Sequence, residues 1–301
     1  VSEGENGTKI PRDPEDDYSA RAISARSGFL KEKTGGEYPN LSSYSLDPAS
    51  LPGNVENFVG VAQVPVGLAG PLLVNGEHAQ GEFYVPLATT EGTLVASYSR
   101  GMKLARLAGG VTTTVIDDAM QRAPVFAFES ARGAKAFSAW LVENFDEIKS
   151  RADATTGSGS LRDIQQFPAG PLVYTRFNFT TGDAAGQNMT SKATAAACKW
   201  IASQRPEIAN FALESNFATD KKASTVNMLH TRGKRVVAEI TLPAELLQSE
   251  MRVDSRRSFR SRLMANLGSF MSGAVNNGAH AANGVTAMFI ATGQDVANVA
   301  E

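Results

Sequence analysis

The chain is poor in the residues that build cross-links and metal cages. It holds one cysteine, Cys198, in 301 residues, which excludes an intrachain disulfide and suits a reducing compartment. Its three histidines, His78, His230 and His280, stand far apart, and with a single thiol no metal-ligand cluster is expected. An excess of either charge is also missing. Lys plus Arg total 29 against 31 for Asp plus Glu, a net charge of −2, so no global basic field favours nucleic acid. The longest apolar stretch, Gly60 to Val74, is broken by Pro65 and Pro71 and is too short to span a bilayer. The first residues, Val-Ser-Glu-Gly-Glu-Asn, have neither the basic start nor the apolar run of a signal peptide. These absences point to a soluble cytoplasmic protein with no membrane segment. The hydrophobic share is 42%, enough for more than one core, so two domains or a domain with an insertion are expected.

Residues 1–50 are polar and rich in turn formers, with one helix expected from Tyr18 to Lys33, and read as an N-terminal arm. From Asn57 to Pro71, glycine and proline alternate with valine and leucine, which suggests tightly turned backbone. A short strand is expected at Glu82–Leu87, then a helix from Glu91 to Ala108 with Thr89 or Thr90 as N-cap and Gly109-Gly110 as stop. Residues 124–213 carry the clearest pattern. Val125–Phe128 reads as a strand, and Ala134, Phe137, Leu141, Phe145 and Ile148 keep helical spacing. Arg162–Phe167 is a second strand. Val173, Thr175, Phe177 and Phe179 alternate with Tyr174, Arg176 and Asn178 in a third. Met189, Ala193 and Trp200 make a helical stripe, and Phe211–Leu213 a last strand. The order is β-α-β-β-α-β, the ferredoxin-like split arrangement. Beyond it Val236, Ala238, Ile240 and Leu242 alternate, and the last stretch reads as helical around a small-residue patch from Ser269 to Ala282.

Three polar junctions hold groups able to do chemistry. Ala88-Thr89-Thr90-Glu91-Gly92 supplies a carboxylic acid, Thr219-Asp220-Lys221-Lys222 an ammonium, and Gly293-Gln294-Asp295 a second carboxylate. Together they are the inventory for reducing a thioester carbonyl: a proton donor, a cation for the developing negative charge, and a group that tunes both. Each also has a plainer explanation. Glu91 reads first as a first-turn carboxylate favoured by the helix dipole, with a partly buried general acid as the sharper alternative. Lys221 and Lys222 read as solvated charges, and Asp295 as a loop aspartate bonding its own backbone. Thr180 to Met189 joins a strand to an alanine-rich helix, and small residues there let backbone approach a pyrophosphate, although the spacing is not G-x-G-x-x-G. Five arginines between Arg252 and Arg262 read as a solvated face, with Arg252 a candidate for a phosphate. His280 reads as a hydrogen-bonded core histidine and Asn283 as a local cap.

Singly these signals are weak. In this order they resemble 3-hydroxy-3-methylglutaryl-CoA reductase, from Pro11-Arg12-Asp13-Pro14 onward. The resemblance includes Leu51-Pro52-Gly53-Asn54-Val55-Glu56-Asn57, Pro65-Val66-Gly67-Leu68-Ala69-Gly70-Pro71, the three junctions above, Gly182 to Met189, and His280 to Asn283. It implies an α+β fold, with a large, mainly helical substrate-binding domain at 51–123 and 214–301. Inserted into it, at 124–213, would be a ferredoxin-like (βαββαβ) dinucleotide-binding small domain. It implies an oxidoreductase of the mevalonate pathway that reduces the thioester to mevalonate and CoA, with NADPH favoured, NADH the alternative, and no metal. On this pattern Lys221 is the electrophilic cation, Glu91 the proton donor, and Asp295 hydrogen-bonds both. Arg122, Ser215, Asn216, Asp220, Lys222, His280 and Asn283 would line the substrate pocket. Ser97, Ser99, Arg100 and Arg252 would face CoA, and Asp183, Ala185, Gly186, Gln187, Asn188 and Met189 would hold the dinucleotide. A homodimer or a tetramer of dimers is implied, with the active site between subunits and Glu56-Asn57 in the contact.

The sequence departs from the family's pattern at Ala265, where a lysine is usual, and at Glu214, where a serine is usual unless it is displaced to Ser215. The family also continues beyond the aspartate to a histidine on a mobile flap, a position none of His78, His230 and His280 occupies. A C-terminally truncated catalytic region, impaired in later steps, is therefore the expectation. A non-catalytic acyl-CoA or dinucleotide binder, and a reductase of a related acyl-CoA, are the competing expectations.

Overall fold

The computed structural model describes residues 9–230, 232–274, 278 and 280–301. Two compact units divide at Pro65. In the first, helix α1 (Ala20–Thr34) forms where the spacing predicts it. Ser19 caps it by accepting the Ala22 N–H, and Gly35 ends it with φ of 67°. Arg26 on α1 is buried, which is tolerable because its guanidinium donates to the Phe58 carbonyl at 2.7 Å and to Asp17 at 2.8 Å.

The second unit begins with strands β1 (Val66–Gly76) and β2 (Gln80–Ala88). The tightly turned backbone expected up to Pro71 is thus partly a strand. β1 pairs antiparallel with β2 on both sides of an irregularity between Ala69 and Leu72, so the glycines and proline bend the strand without ending it. Gly67 gives close packing: a Cβ there would lie 2.7 Å from Val95 Cγ2.

Helix α2 (Leu94–Leu107) starts later than expected. Thr93 has a left-handed backbone, φ of 66°, and no side chain caps the helix, so Thr89 and Thr90 are not its N-cap. Gly109 and Gly110, both at positive φ, follow it as predicted. Next come β3 (Val111–Arg122), β4 (Val125–Ala127), α3 (Ala131–Glu143), α4 (Phe145–Asp153), β5 (Ser160–Ala169), β6 (Leu172–Thr180), α5 (Gln187–Gln204) and β7 (Asn210–Ala212). The remaining elements are α6 (Thr225–Leu229), β8 (Gly233–Glu239), α7 (Ala244–Leu246) with one π turn over Leu247–Met251, α8 (Ser255–Ser272) and α9 (Ala281–Ala291). Part of the small-residue patch at 269–282 lies outside the described residues.

Among the described residues eight strands form one mixed sheet. β1 and β3 are parallel, and β2 and β8 lie antiparallel on their flanks. The last residues of β3, Met120–Arg122, cross to pair with β6. There β5, β6, β4 and β7 run antiparallel in that spatial order. This is a mixed α/β fold, in which residues 51–123 and 214–301 hold β1, β2, β3 and β8 beside helices α2 and α6 to α9.

Two cores hold the sheet. The apolar face of β6 (Val173, Phe177, Phe179) packs on Phe137, Leu141, Ile148, Ala193, Ala197 and Ile201 of α3, α4 and α5. Each such large side chain contributes about 1.5–3 kcal/mol by burial. Cys198 lies in this core, where burial pushes its thiol up and leaves it unreactive. The second core joins Ala69 and Leu87 to Leu94, Met102 and Ala287, seating α2 and α9 on β1 and β2.

Candidate active site

Lys221 sits in a loop that needs outside support. Asn216, Thr219 and Lys221 have left-handed backbones, with φ of 65°, 58° and 58°. Such a residue costs about 1–2 kcal/mol when it is not glycine, so its surroundings must fix it. At one end the Ser215 N–H and Oγ both donate to the Ala123 carbonyl, at 2.9 and 2.8 Å. In the middle the Thr219 hydroxyl bonds the Asn227 side chain, whose Nδ2 donates to the Lys222 carbonyl at 3.2 Å. At the other end Arg232 Nη2 donates to Asp220 at 2.8 Å, and Glu301 Oε1 accepts the Lys221 N–H at 2.8 Å.

From this loop Lys221 Nζ reaches Asp295 Oδ2 at 2.6 Å. Asp295 also accepts the Ala297 N–H and so starts the 3₁₀ turn Val296–Ala300. Their hydrogen bond holds the Asp295 carboxyl below the usual carboxylate range and raises Lys221 above that of a free lysine. Both side chains keep an exposed face. The plainer explanation of Asp295, a loop aspartate bonding its own backbone, holds at the same time as the ion pair.

Glu91 is exposed and precedes α2, so neither a first-turn dipole role nor partial burial describes it. Its N–H donates to Thr89 Oγ1, and its Oε2 accepts from Asn283 Nδ2 at 2.7 Å. Asn283 lies in the first turn of α9, where it bonds Glu91 instead of capping its own helix. His280 is exposed and not a core residue. Its carbonyl accepts from the Tyr98 hydroxyl at 3.0 Å and its ring lies 5.0 Å from that of Tyr98. The structure thus joins Asp295 to Lys221 and Asn283 to Glu91.

Arg122, at the end of β3, bonds the Ser191 hydroxyl on α5 and lies 3.2 Å from Glu214 Oε2. Glu214 Oε1 accepts the Asn216 N–H at 2.8 Å. Asp220 is committed to Arg232, and Lys222 Nζ folds back to the Asp220 carbonyl at 3.0 Å. Burial is the largest influence on Asp220 and acts to raise it, but Arg232, Glu301 and Lys221 together outweigh it and the carboxyl lies below its ordinary value.

At α5, Gly186 has φ of 81° and a Cβ there would lie 2.6 Å from Thr181 Cγ2, so the close turn needs glycine. No side chain caps α5, and Asp183, Ala185 and Asn188 are exposed around its start. Gln187 Nε2 donates to Asn298 Oδ1 at 3.1 Å, which ties this start to the turn after Asp295. Met189 packs against the core beneath. Ser99 and Arg100 line a cavity of about 540 Å³ with Lys103, Arg106, Glu250 and Met251. Ser97 lies two residues before Ser99 on α2, and Arg252 follows the cavity wall with φ of 56°. Among the described residues no His, Cys, Asp and Glu cluster could hold a metal.

Ser191, Asn227, Arg232, Glu301, Lys103 and Arg106 were not legible as site residues. Lys103 and Arg106 extend the face of Ser99 at helical spacing, a signal that could have found them. The others meet the site only through the fold.

Residues 22–301 match the family model for hydroxymethylglutaryl-coenzyme A reductase. The chain belongs to that family. It is 43% identical over 283 residues to the 3-hydroxy-3-methylglutaryl-coenzyme A reductase of Pyrococcus abyssi, covering 93% of this chain and 69% of the relative. It is 40% identical over 287 residues to that of Methanocaldococcus jannaschii, covering 93% and 71%. The fold is similar to solved reductases of this family from Streptococcus pneumoniae. One has a TM-score of 0.60 at 22% identity, covering 93% of this chain and 74% of that one. Another, a class II reductase bound to NADPH in open conformations, has a TM-score of 0.58 at 23% identity, covering 90% and 64%. Among the described residues no helix is long and apolar enough to cross a membrane.

Proposed function

We propose that the chain reduces the thioester of 3-hydroxy-3-methylglutaryl-CoA to mevalonate and CoA. The observation that carries this reading is the 2.6 Å Lys221–Asp295 pair, held on a fixed loop in a member of the reductase family. In this reading the Lys221 ammonium faces the thioester oxygen and stabilises the negative charge that develops there. Asp295 orients Lys221 and keeps it charged. Glu91 gives its proton to the same oxygen, with Asn283 orienting the carboxyl through Oε2. Arg122, Ser215, Asn216, Asp220 and Lys222 form the wall for the acyl group, and the Ser97–Ser99–Arg100 face of α2, with Arg252, meets CoA.

Bound reduced nicotinamide supplies the hydrides for both two-electron steps. The start of α5 fits its pyrophosphate: the helix is uncapped, its turn is closed by Gly186, and small exposed residues precede it. We infer that Asp183, Ala185, Gly186, Gln187, Asn188 and Met189 hold the dinucleotide, within an inserted small domain at 124–213. The antiparallel order β5-β6-β4-β7 supports that insertion. The NADPH bound to a Streptococcus pneumoniae relative favours NADPH over NADH. The assembly in this reading is a homodimer or a tetramer of dimers.

Turnover of 3-hydroxy-3-methylglutaryl-CoA, followed as loss of nicotinamide absorbance, tests the reading. Lys221→Ala should abolish it, and a near-normal rate would sink the assignment. The pairing of Glu214 with Arg122 favours a second reading, in which a related acyl-CoA without a distal carboxylate is reduced. A substrate panel in which the hydroxymethylglutaryl ester is best would reject that alternative.

A further inference from the structure

Arg232 is a buried hub, with its side chain 2% exposed. Its Nη1 donates to the Gln121 carbonyl at 3.3 Å, beside Arg122. Its Nη2 bonds Asp220 at 2.8 Å, and its Nε lies 2.9 Å from Glu301 Oε2. One guanidinium thus ties the end of β3, the 216–222 loop and the turn after Asp295, three segments that supply the candidate site. Glu301 carries the last link. Its Oε1 accepts the Lys221 N–H at 2.8 Å, the backbone group of a residue in an otherwise costly left-handed conformation.

We propose that Glu301, braced by Arg232, is a positioning residue that holds the Lys221 backbone so that its ammonium meets Asp295 and the substrate oxygen. The proposal rests on the role given to Lys221 above. Glu301 touches no reacting atom; it acts through the Lys221 amide. Three features separate this contact from an ordinary surface ion pair. The Glu301 side chain is 12% exposed, its cation is buried, and its other oxygen serves a strained backbone. Burial also pushes the Glu301 carboxyl above its usual range, while Asp220 beside it lies low.

The test compares Glu301→Ala and Glu301→Gln in steady-state turnover of 3-hydroxy-3-methylglutaryl-CoA with NADPH, with thermal unfolding as a control. A displaced cation lowers kcat by about 10-fold to 100-fold, and KM for the ester should stay within about twofold, because the removed contact serves Lys221 and not ground-state binding. Glu301→Gln should recover most of the loss, since its amide oxygen can accept the same N–H. An unchanged kcat in Glu301→Ala, or equal losses in Ala and Gln, overturns the proposal. Hydrogen exchange at the Lys221 amide reads the same contact without turnover. Exchange should quicken by about fivefold in Glu301→Ala, the equivalent of one hydrogen bond, and not in Glu301→Gln. Unchanged exchange overturns the proposal whatever the kinetics. Wild-type protein that does not turn over the ester, yet shows this exchange pattern, would fail the functional reading and leave the positioning contact standing.

Discussion

Lys221 and Asp295 titrate in opposite directions, and the signs fix a pH window. Asp295 titrates below its unfolded value of about 3.9. Its contribution to stability is present above that value and is lost as pH falls through the lower folded value. Lys221 is raised above its unfolded value of about 10.4. Its contribution is present below that value and is lost as pH rises through the folded one. The pair is therefore charged from about pH 4 to about pH 10 and should give no limb in a kcat–pH profile there. In Asp295→Asn the Lys221 titration loses its partner, so the alkaline limb should move to lower pH. An alkaline limb that stays in place would contradict the pairing. At this scale the sequence exposed the chemistry but not the wiring. Glu91, Lys221 and Asp295 stand in polar junctions that the chain itself displays. Ser191, Arg232 and Glu301 carry no local signature, because their partners lie far away along the chain and only the fold brings them together.

Among the elements, the contact between α2 and α9 orders Glu91 and Asn283. It depends on Gly284, where a Cβ would fall 2.1 Å from the Tyr98 ring and hydroxyl. Gly284→Ala must displace Tyr98 and break its bond to the His280 carbonyl. The expected loss of stability is about 1–3 kcal/mol, the usual result of overpacking. In a Tyr98→Ala background the same change should cost clearly less, because the clash is removed. Urea unfolding of the four proteins checks this, and equal costs in both backgrounds would contradict the contact. Strands and helices with one strong period were legible, including β6 and α5. β1 was not, since its glycines and proline spell turns locally while β2 and α2 draft them into a sheet. The start of α2 was not legible either, because a left-handed Thr93 replaces the side-chain cap that sequence rules look for.

For the whole molecule, α8 offers a large apolar surface. Phe259, Leu263, Met264, Leu267, Phe270 and Met271 are all more than half exposed, from 52% to 83%. A row of this kind marks an interaction surface, and we propose that a second copy of the chain covers part of it. Light scattering should give a species larger than one chain, and Leu267→Asp with Phe270→Asp should shift it toward the monomer. A wild-type monomer at micromolar concentration would contradict this assembly. The strands and helices at 124–213 were readable from periodicity, except that the first helical stripe splits at Asn144 into α3 and α4. The way β3 runs from one half of the sheet into the other was not, because a continuous strand gives no signal of a change of partner.

The central claim, that Lys221 is the cation of a thioester-reducing site, is tested most directly by one comparison. Nicotinamide oxidation with 3-hydroxy-3-methylglutaryl-CoA is measured for the wild-type chain and for Lys221→Ala, both shown to be folded. The account predicts turnover in the first and none in the second. Equal measurable rates in the two would contradict it.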